Sequence, residues 1–216
     1  MTSRIHPTAI LEDGVVLGPG TSVWDSVHIR HSTTIGEECI VGEKTHISYS
    51  VVIGNRVKIN AFVYICTGVT IEDGVMISAG TIFTNDRFPR ATSPELDRLR
   101  SSDPDEHTLT TLIRCGTTIG AGSIIGPGLT VGPFAMVGMG SVVTKSVPPF
   151  HLVVGNPARS IGCVCRCGQP VLKFVPGERV ATEHAACPVC GLEYAVRENG
   201  TVVEMSTIPH LAHQFA

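Results

Sequence analysis

The sequence predicts an all-β fold, a parallel β-helix ending in a small cysteine-bearing appendage. Three observations predict it: an apolar mark on every sixth residue, a small or β-branched residue four places after the marks, and glycine directly after many of them. The mark runs Ile5, Leu11, Leu17, Val23, Ile29, Ile35, Val41, Ile47, Ile53, Ile59, Ile65, Ile71, Ile77 and Phe83, and resumes at Ile113, Ile119, Ile125, Val131, Val137 and Val143. The second position runs from Ala9, Val15 and Thr21 to Val69, Val75 and Thr81, and neither position carries a charge. A helical period would rotate the mark around the axis and expose aliphatics on every side. A plain strand would need unbroken alternation through all the glycines. One short strand and one turn per hexad meets both objections. Three hexads then make a coil, and stacked coils pair as parallel strands about 4.8 Å apart with the aliphatics along the axis. A β-sandwich would instead show turn signals every ~8–12 residues.

Taken in chain order, residues 1–161 form the β-helix, interrupted by a polar, charged loop over 84–112 after which Ile113 resumes the hexads in phase. Within the loop, Ser93-Pro94 reads as an N-cap followed by a proline in the first helical position, so a short helix is expected to about Arg100. A loop of this length on a rigid scaffold is usually functional. Residues 162–216 depart from the repeat and hold most of the cysteines, which predicts a separate C-terminal extension.

Composition narrows the possibilities. Net charge is −3, which argues against a nucleic-acid partner, since such surfaces carry a basic excess. Residues 116–144 are uncharged, but eight glycines and two prolines with spaced aliphatics exclude a membrane span. No apolar run marks the first residues as a secretory signal, so a cytoplasmic setting is expected. There, the crowd of Cys163, Cys165, Cys167, Cys187 and Cys190 reads as metal ligands rather than disulfides.

The hexads resemble those of the hexapeptide-repeat acyltransferases, whose β-helix is left-handed; the resemblance covers Ile5 to Ile161 and supplies the handedness. The segment Phe83-Thr84-Asn85-Asp86-Arg87-Phe88-Pro89-Arg90 is similar to the branch that N-acetylates nucleotide-linked amino sugars for surface-polysaccharide synthesis. That resemblance implies acetyl-coenzyme A as donor, a nucleotide-linked amino sugar as acceptor, and a homotrimer with active sites between subunits. It also implies an Asn near the acceptor amine, at Asn85. Val153-Val154-Gly155-Asn156-Pro157-Ala158-Arg159 resembles the motif bordering the coenzyme A channel. The chain departs from the pattern at Thr67 and Ala79, where relatives carry an acid and a histidine.

Asn85, Asp86 and His107 are the catalytic candidates. Asn85 can orient an amine but cannot accept a proton at neutral pH, Asp86 is a base or a partner of Arg87 or Arg90, and His107 is the available shuttle. Arg87 and Arg90 suit the acceptor's diphosphate, because guanidinium binds phosphate bidentately. Gly138, Gly140, Ser141, Pro157 and Arg159 are the candidates for coenzyme A. Cys165-Arg-Cys167-Gly168 and Cys187-Pro-Val-Cys190-Gly191 form two knuckles suited to tetrahedral structural zinc, a zinc-ribbon-like unit. The first knuckle is C-x-C, so Cys163 in place of Cys165 stays open, as does a dithiol redox pair. O-acetylation of a sugar, and a non-catalytic scaffold carrying a zinc-ribbon interaction module, remain as alternative functions.

Overall fold

The computed structural model describes residues 2–174 and 181–205. It is a triangular solenoid of parallel two- and three-residue strands. One face stacks Arg4–Ile5, Ser22–Val23, Ile40–Val41, Lys58–Ile59, Met76–Ile77, Thr118–Ile119 and Met136–Val137. The second stacks Ile10–Leu11, His28–Ile29, His46–Ile47, Tyr64–Ile65, Ile82–Phe83, Ile124–Ile125 and Val142–Val143. The third runs from Val16–Leu17 to Thr130–Val131. Each residue sits over the one 18 positions earlier, as Tyr64 over His46 and Lys58 over Ile40.

The hexad marks from Val23 to Val143 are buried and form one continuous core. The first coil is the exception: Ile5 is exposed and Leu11 and Leu17 half-buried, because no coil lies below them. Threonine at the second position has a definite task. Thr21, Thr33 and Thr117 are buried, and their hydroxyls donate to the carbonyls of Gly36, Ser48 and Gly132 at 2.7, 2.8 and 2.9 Å. Each thereby satisfies a carbonyl at the corner of the next coil.

Two kinds of glycine serve the corners. One residue per hexad takes a left-handed conformation, by glycine at Gly74, Gly80 and Gly122 but by Ser32, Lys44 and Arg56 at equivalent corners. The glycine after the mark answers a different need. A Cβ on Gly42 would stand 2.6 Å from the Asn60 carbonyl carbon and 2.8 Å from the Ala61 nitrogen, so the backbones of adjacent coils touch there.

The insertion keeps the phase. Ile71 pairs with Ile113, where an unbroken repeat would pair it with Pro89. The loop doubles back on itself, with isolated bridges at Asp86–Thr108 and Thr92–Leu99. The helix expected from Ser93 does not form. Ser93 caps a turn instead, its hydroxyl 2.6 Å from Asp97 Oδ1, and Leu96 takes a positive φ of 62°. Leu96 and Leu99 are exposed, so no apolar face holds a helix too short to stand alone.

At the far end, His151–Gly155 closes the first face and continues antiparallel through Ala158–Val164 to Pro170–Lys173. The sheet thus passes without a break through position 161, where the expected extension begins. Beyond it, Thr182–Ala186, Glu193–Val196 and Val202–Glu204 form a small antiparallel sheet. The expected 162–216 unit lies outside the described residues at 175–180 and 206–216. Its apolar cluster joins Tyr194, Val196 and Val202 to Phe150 and Phe134 of the solenoid. Buried His151 ties the two together: Nε2–H donates to the Gly200 carbonyl at 2.9 Å and Nδ1 accepts from the Ser160 hydroxyl at 2.8 Å.

Two predictions arise from this packing. Gly42→Ala is expected to lower the urea midpoint by the equivalent of ~1–3 kcal/mol, an overpacking cost. Gly122→Ala, with open space around its Cβ, is expected to cost only the left-handed penalty of ~1 kcal/mol. A Gly42→Ala midpoint at the wild-type value would contradict the close approach there. The second prediction concerns pH. Burial lowers the His151 pKa, outweighing the Gly200 carbonyl that raises it. The neutral form is therefore the folded one, and its contribution is intact above the unfolded value of about 6.5 and lost as pH falls below it. The protection factors of the Gly200 and Thr201 amides, corrected for intrinsic exchange, should fall as pH drops from 7.5 to 5 while the central coils stay protected, and unchanged factors mean no such link.

Candidate functional site: a cleft under the inserted loop

The loop leaves the solenoid at the edge between its second and third faces and folds back over it. Beneath it lies a cleft of about 510 Å³. The solenoid contributes Arg30, Ser48, Tyr49, Tyr64, Cys66 and Thr67, and the loop contributes Asn85, Asp86, Arg90, Arg100, Asp105 and His107 among others.

Asn85 is fixed from two sides. Its Nδ2 donates to the Thr67 carbonyl at 3.2 Å, and its own carbonyl accepts the Leu109 N–H at 2.8 Å. The first bond leaves the amide oxygen as an acceptor at the cleft wall. Asp86 Oδ1 accepts the Thr108 hydroxyl at 3.3 Å, a contact that joins the two arms of the loop. His107 stands across from Phe88, ring edge to face at 5.6 Å, and its backbone N–H donates to Asp105 Oδ1 at 2.8 Å. That N–H, above all, holds the Asp105 carboxyl below its ordinary range. Burial pushes the Cys66 thiol up to about 12, so the cleft floor is a neutral thiol and not a nucleophile.

The structure thus brings Asn85, Asp86, Arg90 and His107 to one cleft. Arg87 is not among the lining residues; its guanidinium lies 5.8 Å from the Phe88 ring. Arg30, Tyr49, Tyr64 and Arg100 line the cleft without having been singled out from the sequence. The signal for Tyr49 and Thr67 was present as the 18-residue offset, which places both on the column that ends at Asn85.

The coenzyme candidates gather elsewhere, on the last coils and at the edge between the first and second faces. Ser141 is buried, donating to the Gly138 carbonyl at 2.7 Å and accepting the Gly155 N–H at 3.2 Å. Gly140 is an open left-handed corner. Arg159 is exposed near the start of the strand Ala158–Val164, just after the turn at Asn156-Pro157 that joins it to His151–Gly155. None of these five lines the cleft within one chain.

At the C-terminal end, the sulfurs of Cys165, Cys167, Cys187 and Cys190 all lie within 4.8 Å of one another. Cys165 and Cys190 are 3.3 Å apart, and Cys167 and Cys187 3.5 Å. The glycine of each knuckle, Gly168 and Gly191, has a positive φ. The amides of Cys190 and Val189 lower the Cys187 thiol to about 6. Cys163 is not in the cluster; it is buried in the strand between His151 and Leu172. The hydroxyl of fully buried Tyr194 donates to Cys165 Sγ at 3.1 Å.

Comparison with known proteins agrees with the repeat. The family described as bacterial transferase hexapeptide (six repeats) matches residues 50–85, and the hexapeptide repeat of succinyl-transferase matches 32–66 and 115–145. Both matches fall on the hexads of the solenoid, and the fold is the left-handed parallel β-helix expected from the sequence. More particularly, the chain is 38% identical over 84 residues to a dTDP-3-amino-3,6-dideoxy-α-D-galactopyranose 3-N-acetyltransferase of Aneurinibacillus thermoaerophilus. That match covers 39% of this chain and 40% of the relative. Among solved structures, a variant of AntD, an N-acyltransferase from Bacillus cereus in complex with dTDP and coenzyme A, is 23% identical at a TM-score of 0.48, over 76% of this chain and 82% of that one. The acetyltransferase domain of PglB from Neisseria gonorrhoeae, with acetyl coenzyme A, is 19% identical at 0.45, over 73% and 57%. Among the described residues no helix is long and apolar enough to cross a membrane.

Proposed function

We propose that the chain is an acetyl-coenzyme-A-dependent N-acetyltransferase acting on a nucleotide-linked amino sugar for surface-polysaccharide synthesis. The observation that carries the reading is the cleft, in which the anchored Asn85 amide faces two arginines and His107 of one loop. The similarity to an amino-sugar 3-N-acetyltransferase supports it.

The chemistry asks little of an acid or base. A sugar amine is partly neutral near pH 7–8, and its nitrogen attacks the thioester carbonyl carbon. A C–N bond forms as the C–S bond breaks, the sulfur leaves as a thiolate with a thiol pKa of about 8.5, and the amine's proton ends on that sulfur. His107 is the shuttle for this proton, and Asp86 holds the loop arms in register. Asn85 accepts an N–H of the amine and aims its lone pair, so most of the acceleration comes from positioning. Arg90 meets the acceptor's diphosphate; Arg87, stacked toward Phe88, belongs to the rim.

The donor site is read as Gly138, Gly140, Ser141, Pro157 and Arg159. These residues and Asn85 occupy different edges of one prism, so they meet only across a boundary between copies. A homotrimer, whose flat faces pack around a threefold axis, brings them together. The cytoplasm, where thiols stay reduced, suits both the thioester and the free cysteines.

The four clustered cysteines fit zinc. An ion about 2.3 Å from each sulfur needs sulfurs near 3.8 Å apart, close to the spacing in the fold. Bound there, zinc would supply folding energy and no open position for a substrate.

Asn85→Ala is expected to lower turnover by roughly 10–1000-fold with the fold unchanged, as for loss of one positioning contact. Near-wild-type turnover in a folded variant would remove Asn85 from the site. Elemental analysis should find one zinc per chain, and chelation should open protease cleavage from about Gly162 onward while the solenoid persists. Metal-free protein with a Cys187–Cys190 disulfide would instead favour the redox pair.

A further inference from the structure

Residues 18 apart stack in columns, and the column at the edge between the second and third faces reads Asp13, His31, Tyr49, Thr67, Asn85. His31 and Tyr49 follow the rise of the coil: their rings are parallel within 4° and 5.2 Å apart. Arg30, in the same coil as His31, lies 5.5 Å from the Tyr49 ring centre. The next level breaks the stack. Thr67 has no ring, and among the described residues no aromatic covers the Tyr49 face turned toward Asn85. Beside this gap the second face runs in parallel, with Tyr64 stacked on His46 at 5.5 Å.

We propose that the pyranose ring of the acceptor sits on the face of Tyr49 turned toward Asn85, in a slot that Thr67 keeps open beneath Asn85. The proposal rests on the amino-sugar reading above and names the residue that seats the sugar. Tyr49, Tyr64, Thr67 and Asn85 all line the one cleft. Tyr49 and Asn85 are two coil levels apart, about 10 Å. A sugar ring stacks its C–H face about 4.5 Å above an aromatic ring. The Asn85 amide is turned down to the Thr67 carbonyl one level below, which shortens that span, and one hydrogen bond of about 3 Å then joins it to an amine on the sugar. A nucleobase on Tyr49 would not serve. Ribose and two phosphates would separate it from the sugar and carry the amine beyond Asn85. With the sugar seated, the diphosphate leaves toward Arg90 and Arg100 at the loop side of the cleft.

The test uses the full-length protein and a panel of dTDP- and UDP-linked amino sugars, with acetyl-coenzyme A as donor. Tyr49→Ala is expected to raise KM for the accepted amino-sugar nucleotide roughly 5–20-fold, with kcat within about threefold. Tyr49→Phe, which keeps the ring, should restore that KM. The Kd for the plain nucleoside diphosphate and the KM for acetyl-coenzyme A should not move with Tyr49→Ala. Thr67→Phe should extend the stack and close the slot, raising KM further. If wild type acetylates an amino-sugar nucleotide but Tyr49→Ala leaves its KM unchanged, the seat is wrong while the function stands. If Tyr49→Ala weakens the plain diphosphate as much as the sugar nucleotide, the ring holds the base and the proposal fails. If wild type acetylates none of the panel, the functional reading itself fails and the seat with it.

Discussion

The fixed offset of 18 residues between paired positions is the constraint on which the molecule depends. Each aliphatic mark must lie on the one below, so the chain must turn sharply at every hexad and always by the same amount. That requirement explains left-handed corners at residues as ill-suited as Lys44 and Arg56, where the register outweighs a local cost of ~1–2 kcal/mol each. It also explains glycines whose φ is ordinary, such as Gly42, where neighbouring backbones leave no room for a Cβ. The insertion obeys the same rule. It can be long because its two ends re-enter adjacent positions of one column, pinned by the Leu109 N–H on the Asn85 carbonyl.

The solenoid was legible because its period is written in side-chain type. Any six-residue comb laid on the sequence finds the core. The Cys165, Cys167, Cys187 and Cys190 set was legible for a similar reason, since knuckle spacing is local. Setting Cys165 apart from Cys163 needed the structure: positions two apart share one face of a strand, and the strand ends at Val164, so Cys163 stays paired between His151 and Leu172 while Cys165 leaves it to join the cluster. The cleft was half legible. Asn85, Asp86, Arg90 and His107 line one cleft, because one contiguous loop carries them, while Arg87 of the same segment does not line it. Tyr49 and Tyr64 were hidden, because they meet the loop through a period of three hexads and not one. The expected helix after Ser93 shows the opposite failure. A capping signal was read where no apolar face existed to hold what it started, and Leu96 turned the chain away.

The two ends of the solenoid are treated differently. Below the first coil, Ile5, Ile10 and Val16 remain exposed on strands of only two residues, short enough to offer little template for another chain. The last coil is covered instead. The first face's sheet runs on antiparallel through Ala158–Val164 and Pro170–Lys173, and the small sheet beyond packs Tyr194 against Phe150.

That cover explains why the cysteine cluster stands where it does. The C-terminal unit has few large apolar residues, and its cluster is completed by Phe134 and Phe150 from the solenoid. Arg166 adds a contact 4.4 Å above the Phe134 ring and an ion pair with Glu204 at 2.6 Å, largely shielded from water. A core borrowed in this way holds the inner strands to the coils and takes in Cys165 and Cys187, but it leaves the second cysteine of each knuckle, Cys167 and Cys190, exposed. Those two outer thiols are the groups that packing leaves unsupported, and a tetrahedral ion shared with Cys165 and Cys187 is the bond that would fasten them. Tyr194 links the two regimes: its ring lies in the shared core and its hydroxyl meets Cys165 Sγ. The cysteine cluster and the solenoid cap therefore act on one residue from opposite sides.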